Sequence, residues 1–149
     1  MKRSPADREK ELLFAASKFS ADGFLGNDNR SVEEIIDADA AALESLGTSR
    51  EKIAAALSAV FDKAESALGD PVIVLPGISA IHHEARGKIP SPFRGDGVFQ
   101  KGEVEINFTE TGKTVFITRL GINLIGKHGF FQGRGSRYRI EPADILQLL

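Results

Sequence analysis

The chain has 149 residues, 42% of them hydrophobic and 27% charged, with 15 glycines, 6 prolines and a net charge of −2. This is the composition of a folded globular protein and excludes a disordered or fibrous one; a chain of this size buries roughly 68–70% of its unfolded surface and needs no covalent staple. With no cysteine, disulfides, zinc–thiolate sites and a thiol nucleophile are excluded.

Met1-Lys2-Arg3 is followed by charged residues, and the first apolar run, Leu12 to Ala16, is too short for a signal-peptide core or a membrane span. The expected location is therefore cytoplasmic, with no membrane partner. Ser4-Pro5-Ala6-Asp7 supplies an N-cap, a proline where a missing N–H is harmless, and an acid in the first turn. The helix predicted to follow runs to about Ser20 and buries Leu12, Leu13, Ala16 and Phe19. Turn-forming residues from Asp22 to Asn29 then make a loop around Phe24 and Leu25.

Ser31-Val32-Glu33-Glu34 is a capping box, in which hydroxyl and carboxylate each satisfy a free backbone N–H. It opens a helix presenting Val32, Ile35, Ile36, Leu43 and Leu46, with Gly47 as its C-terminal stop. Thr48-Ser49-Arg50-Glu51 reads as a second capping box. After it Ile53, Leu57, Val60, Phe61, Ala64 and Leu68 fall at spacings of three and four, the cleanest helical stripe in the chain. Gly69-Asp70-Pro71 ends that helix.

The period changes after Pro71. Val72 to Leu75 is a short apolar run between prolines, hence a strand, and Ile78 to Ala85 is read as a second. Gly87 to Gly97, with Pro90 and Pro92, reads as a long ordered loop. Glu103 to Phe108 alternates strictly; Thr109–Gly112 is a turn, and Lys113 to Thr118 is the return strand of a hairpin. Leu120, Leu124, Ile125 and His128 share a helical face that Gly129 can cap. Glu141-Pro142-Ala143-Asp144 starts a last short helix burying Ile145, Leu146, Leu148 and Leu149.

The predicted fold class is α+β: an N-terminal three-helix segment, then a small, mainly antiparallel sheet with two short C-terminal helices. One domain over 1–149 is expected, with Gly69-Asp70-Pro71 the place where it would divide into a helical 1–70 and a β-rich 71–149.

Charge is unevenly spread. From Ser31 to Asp70 nine acids (Glu33, Glu34, Asp37, Asp39, Glu44, Glu51, Asp62, Glu65, Asp70) outnumber three bases (Arg50, Lys52, Lys63). From Gly112 to Ile140 there are Lys113, Arg119, Lys127, Arg134, Arg137 and Arg139 and no acid. The two blocks either face each other within one domain or serve association between copies.

The basic stretch contains His128-Gly129-Phe130-Phe131-Gln132-Gly133-Arg134-Gly135-Ser136-Arg137-Tyr138-Arg139. Glycines let a ligand approach the backbone, and arginines clamp phosphate or carboxylate with paired hydrogen bonds. The candidate ligand-binding residues are Arg119, Lys127, Phe131, Gly133, Arg134, Gly135, Arg137, Tyr138 and Arg139, with Lys88 and Arg94 from the proline loop. At least three of these cations are expected on one face near Gly133 and Gly135. Adjacent aromatics point opposite ways in an extended chain, so Phe130 is expected in the core and Phe131 half-exposed, free to stack on a base.

The segment is neither a P-loop nor a dinucleotide fingerprint, since it follows a helix and lacks the Gly-Lys-Ser/Thr ending. Ser91 and Ser136 have no nucleophile-elbow context. His128, His82 and Glu84 are the candidate acid–base groups, at no metal-binding spacing, so neither a metal nor a cofactor is implied. Three readings follow. The first is a small binding module whose basic end holds an anionic partner, nucleic acid foremost. The second is an enzyme acting on a small phosphorylated or carboxylated molecule with a histidine acid–base. The third is a homo-oligomeric assembly protein.

Overall fold

The computed structural model describes residues 23–149; the helix expected over 4–20 lies outside them. Helix α1, Val32–Leu46, starts where the capping box requires: Glu34 N–H donates to Ser31 Oγ at 3.1 Å, and Ser31 N–H to Glu34 Oε1 at 3.2 Å. Gly47, at φ 72°, closes it with its N–H on the last carbonyls. The buried stripe is Val32, Ile35 and Leu43, together with one acid, Asp39.

Helix α2, Arg50–Ser66, is capped one residue later than the sequence pattern suggests. Ser49, not Thr48, takes the Lys52 N–H, at 3.2 Å. The Thr48/Glu51 box therefore does not form, and Thr48 Oγ1 is buried without a partner among the described residues. Ile53, Leu57, Val60, Phe61 and Ala64 are buried as their spacing requires. Leu68 falls beyond the helix, at φ 53°, and is 90% exposed.

Four antiparallel strands follow in the order β1-β2-β5-β6: β1 Val72–Leu75, β2 Ile78–His83, β5 Glu103–Phe108 and β6 Lys113–Thr118. The β5–β6 hairpin closes with Phe108 opposite Lys113, so Thr109–Gly112 is its turn as predicted. Strand β2 stops at His83, two residues short of the expected end. Its alternating burial puts Ile78 and Ala80, with Val104, Ile106, Phe108, Val115 and Ile117, against α2. The other face carries a polar chain in which Thr114 Oγ1 donates to Asn107 at 2.7 Å and Asn107 Nδ2 to Glu105 at 2.9 Å.

Where a long ordered loop is expected over 87–97, the chain instead forms β3, Lys88–Pro90, and returns to pair it with β4, Val98–Gln100, as a small ribbon. Proline is tolerated there because a two-stranded ribbon has a free side on which a missing N–H costs nothing.

Strand β6 passes directly into α3, Arg119–His128. Thr118 is its N-cap, taking the Gly121 N–H at 2.9 Å, and Gly129 at φ 69° ends it. Helices α2 and α3 approach closely at Gly126, where an added Cβ would lie 2.9 Å from Ala54 Cβ. The last element, Pro142–Leu148, is a 3₁₀ helix and not an α-helix. Only Ile145 of its apolar set is fully buried, and Leu149 is 52% exposed. Lys113 Nζ holds the element through Asp144 at 2.7 Å.

The sequence thus predicts the α+β class and the antiparallel sheet, while the C-terminal arrangement is one α-helix and one 3₁₀ helix. Two apolar clusters make the core. The larger lies between α2 and the sheet; the smaller joins Phe24, Val32 and Ile35 to Leu120, Leu124 and Phe130. Phe130 and Phe131 do point opposite ways, but each enters one of these clusters, so Phe131 is 1% exposed and not half-exposed as expected. No helix among the described residues is long and apolar enough to cross a membrane.

Candidate functional site

The Gly133-Arg134-Gly135 backbone is a cradle, and the chain fills it with its own loop. Gly133 N–H donates to Phe24 O at 2.8 Å and Asn27 N–H to Arg134 O at 2.9 Å. The two segments touch so closely that a Cβ on Gly133 would sit 2.3 Å from Leu25 O, and one on Gly26 2.4 Å from Arg134 O. The anion in the cradle is Asp28, which accepts the Arg134 N–H at 3.1 Å. Arg30 Nε and Nη2 hold the same carboxylate at 2.9 and 2.7 Å. Those hydrogen bonds, led by Arg30 and opposed by burial, hold Asp28 well below the ordinary carboxylate range. Gly133→Ala is accordingly expected to cost about 1–3 kcal/mol by overpacking. Amide exchange at Gly133 and Asn27 should quicken with it; unchanged protection there would show that the contact matters less than its geometry implies.

Lys113, Arg119, Lys127, Arg137 and Arg139 of the acid-free stretch each pair with an acid outside it. Arg119 pairs with Asp62 at 2.7 Å and Glu65 at 3.2 Å while lying over the Phe61 ring. Arg137 pairs with Glu103 at 2.7 Å and stacks on Phe116. Arg139 holds Asp39 and Glu141. Lys127 reaches Asp96 at 2.9 Å. The Arg134 side chain is exposed, as are Lys88 on β3 and Arg94 in the turn of the ribbon. The structure thus gathers Gly133, Arg134 and Gly135 around Asp28, Arg137 and Tyr138 around Glu103, and Lys127 and His128 around Asp96.

His128 and His82 share no partner. His82 lies edge-on to Phe61, with Nε2 3.8 Å from Glu65; Glu84 is exposed beyond the end of β2. His128 Nε2–H donates to Asp96 Oδ2 at 2.8 Å, and its ring stacks on Phe93 with centroids 3.7 Å apart. The same carboxylate takes Ser91 Oγ–H at 2.9 Å, Asn123 Nδ2–H at 2.8 Å and Lys127. Asp96 is the clasp that fastens the tip of the β3–β4 ribbon to α3.

Burial alone would raise the Asp96 pKa, but hydrogen bonds from Lys127, His128 and Ser91 outweigh it and hold the group well below the carboxylate range. A depressed folded-state pKa gives stability that is present above the unfolded value, about 3.9, and is lost as pH falls towards the folded one. Asp96→Asn should therefore be less stable than the parent at neutral pH, and the gap should narrow as urea melts are taken below about pH 4. A gap independent of pH would contradict this role.

The clasp matters because the ribbon walls a cleft of about 260 Å³. Its apolar side is Phe24, Ala85, Ile89 and Leu120; its polar side is Gln100, Lys101, Glu103, Thr118, Gln132 and Tyr138. Glu103 accepts the Tyr138 hydroxyl at 2.9 Å as well as both Arg137 bonds. Burial first, then the neighbouring carboxylate, pushes the Tyr138 phenol upward, so it stays a neutral donor. No carboxylate pairs with Lys101 among the described residues.

Gln132 is 2% exposed and sits at φ 71°, in the left-handed region that favours glycine. It is held by Ser136 Oγ–H on its side-chain oxygen at 2.8 Å and by Arg139 Nη1–H on its carbonyl at 3.0 Å. Buried residues held in such conformations concentrate at binding sites. Neither Gln132 nor Lys101 was a candidate from sequence. A neutral amide carries no charge signal, and Lys101 lies outside the acid-free stretch; Tyr138 alone of the lining was foreseen. Among the described residues no group of three or more His, Cys, Asp or Glu side chains is placed to hold a metal ion. No protein-family model matches the chain, and no curated protein or solved structure matches it either.

Proposed function

We propose that this protein is a binding module for a small anionic molecule, held in the cleft between the β3–β4 ribbon and the 130–140 segment. The observation that carries the reading is an ammonium, Lys101, that no carboxylate meets among the described residues, lining the same half-apolar cleft as the buried amide of Gln132. Concave, mostly apolar sites with a few placed polar groups are where small ligands bind. A polynucleotide draws on rows of unpaired cations, and here Arg119, Lys127, Arg137 and Arg139 are each engaged by a carboxylate. Neither His128 nor His82 lines the cleft, which favours binding over acid–base chemistry.

A panel of small carboxylates and phosphates, screened by thermal shift, tests the proposal. At least one is expected to raise the melting temperature, as any ligand of the native state must, and Lys101→Met should abolish the rise. A panel with no active member, or a rise undiminished by Lys101→Met, would reject it. So would tight binding of a single-stranded oligonucleotide that ignores Lys101.

A further inference from the structure

We infer that the anion taken by this cleft is a monocarboxylate on a compact apolar body; the inference rests on the anion-binding reading above. Charge decides the class. Lys101 is the one cation among the lining residues and meets no carboxylate among the described residues, while the Glu103 carboxylate already has Arg137 and the Tyr138 hydroxyl as partners. A monoanion is matched by one ammonium. A phosphate dianion would bring a second negative charge beside Glu103 with nothing to meet it, and like charges brought together across an interface are strongly unfavourable.

Donor geometry agrees. A carboxylate offers two oxygens, and the lining supplies one ammonium, Lys101, with the side-chain amides of Gln100 and Gln132 as neutral donors. Ser136 fixes the orientation of the Gln132 amide by taking its oxygen, which leaves the nitrogen end beside Gly121 at the start of α3. Phe24, Ala85, Ile89 and Leu120 supply the apolar wall. The volume, about 260 Å³, is just under the roughly 300–1,000 Å³ of sites for drug-sized ligands, so the body is small.

Isothermal titration of the full chain with hexanoate, hexyl phosphate and hexanol tests this, at a pH above the second phosphate pKa of about 6. Hexanoate is expected to bind roughly tenfold or more tightly than hexyl phosphate, and hexanol not at all. Losing a hydrogen bond to a charged group costs about tenfold or more in affinity, so Lys101→Met and Gln132→Glu should each weaken hexanoate by that much. If Gln132→Glu does not fold, Lys101→Met, at an exposed position, carries the test. Hexyl phosphate binding as tightly as hexanoate, and through Lys101, would overturn the carboxylate assignment while leaving the anion site standing. Hexanol matching hexanoate, or neither anion binding, would overturn both.

Discussion

Arg139→Ala is expected to lower the stability of the fold by about 3–5 kcal/mol, the usual cost of breaking a buried ion pair from one side. Asp39 lies in the apolar stripe of α1 with its side chain 6% exposed, and the Arg139 side chain is 9% exposed. The guanidinium meets both carboxylate oxygens, with Nη2 2.9 Å from Oδ1 and Nη1 on Oδ2. Nη1 also donates to the Gln132 carbonyl at 3.0 Å, and Nε and Nη2 reach Glu141 at 3.2 and 3.1 Å. Removing this fork strands a charge inside the protein, which is why the penalty exceeds the worth of the pair itself. Arg139→Lys keeps the charge but cannot reproduce a bidentate grip, so it should recover only part of the loss. Replacing both partners, Asp39→Leu with Arg139→Met, should recover most of it, because a buried pair exchanged for apolar side chains is often neutral. Urea midpoints at constant slope measure all three. A loss for Arg139→Ala below about 1 kcal/mol, the range of an exposed pair, would contradict the burial.

The same pair marks what the sequence could and could not tell. Its acidic block over 31–70 and its basic block over 112–140 are visible as composition, and one reading of them was that they face each other. Asp39 with Arg139, and Asp62 and Glu65 with Arg119, do so. The partner of each cation was hidden, because it comes from the fold: Asp39 and Arg139 lie 100 residues apart. Local signals fared better. Ser31, Gly47, Gly129 and the Thr109–Gly112 turn each act through bonds spanning a few residues, so their residue types suffice to place helix ends and a hairpin. The β3–β4 ribbon was missed because three-residue strands containing Pro90 carry too little alternation to register. The glycines at 133 and 135 are where the sequence leads one to expect a ligand close to the backbone, yet the group that approaches is Leu25 to Asp28 of the same chain, and nothing local says so. The cleft was illegible for the same reason, its lining being drawn from six separate stretches between Phe24 and Tyr138.

Phe130→Ala and Phe131→Ala are both expected to cost about 3–5 kcal/mol, the range for emptying a fully buried phenylalanine site. Alternation along an extended segment turns successive side chains to opposite sides, and on a chain lying over a single core one of the two would face water. Here the 130–132 segment runs between two cores. Phe130 packs with Leu120, Leu124, Val32 and Ile35 and meets Phe93 edge-on, ring centroids 6.4 Å apart. Phe131 enters the cluster built by α2 and the sheet, with Leu57, Ile117 and Ile140. Although the rings belong to different clusters, the positions are adjacent in the chain and both line one small pocket, so the loss in the double variant should depart from the sum of the single losses. Neither ring lines the cleft, so each single variant, where folded, should keep its response to a cleft ligand. Either substitution changing stability by less than about 0.5 kcal/mol, the usual limit for an exposed site, would show that its ring is not core. Selective loss of ligand response in Phe131→Ala, with stability intact, would return that ring to the binding surface and move the site away from Lys101 and Gln132.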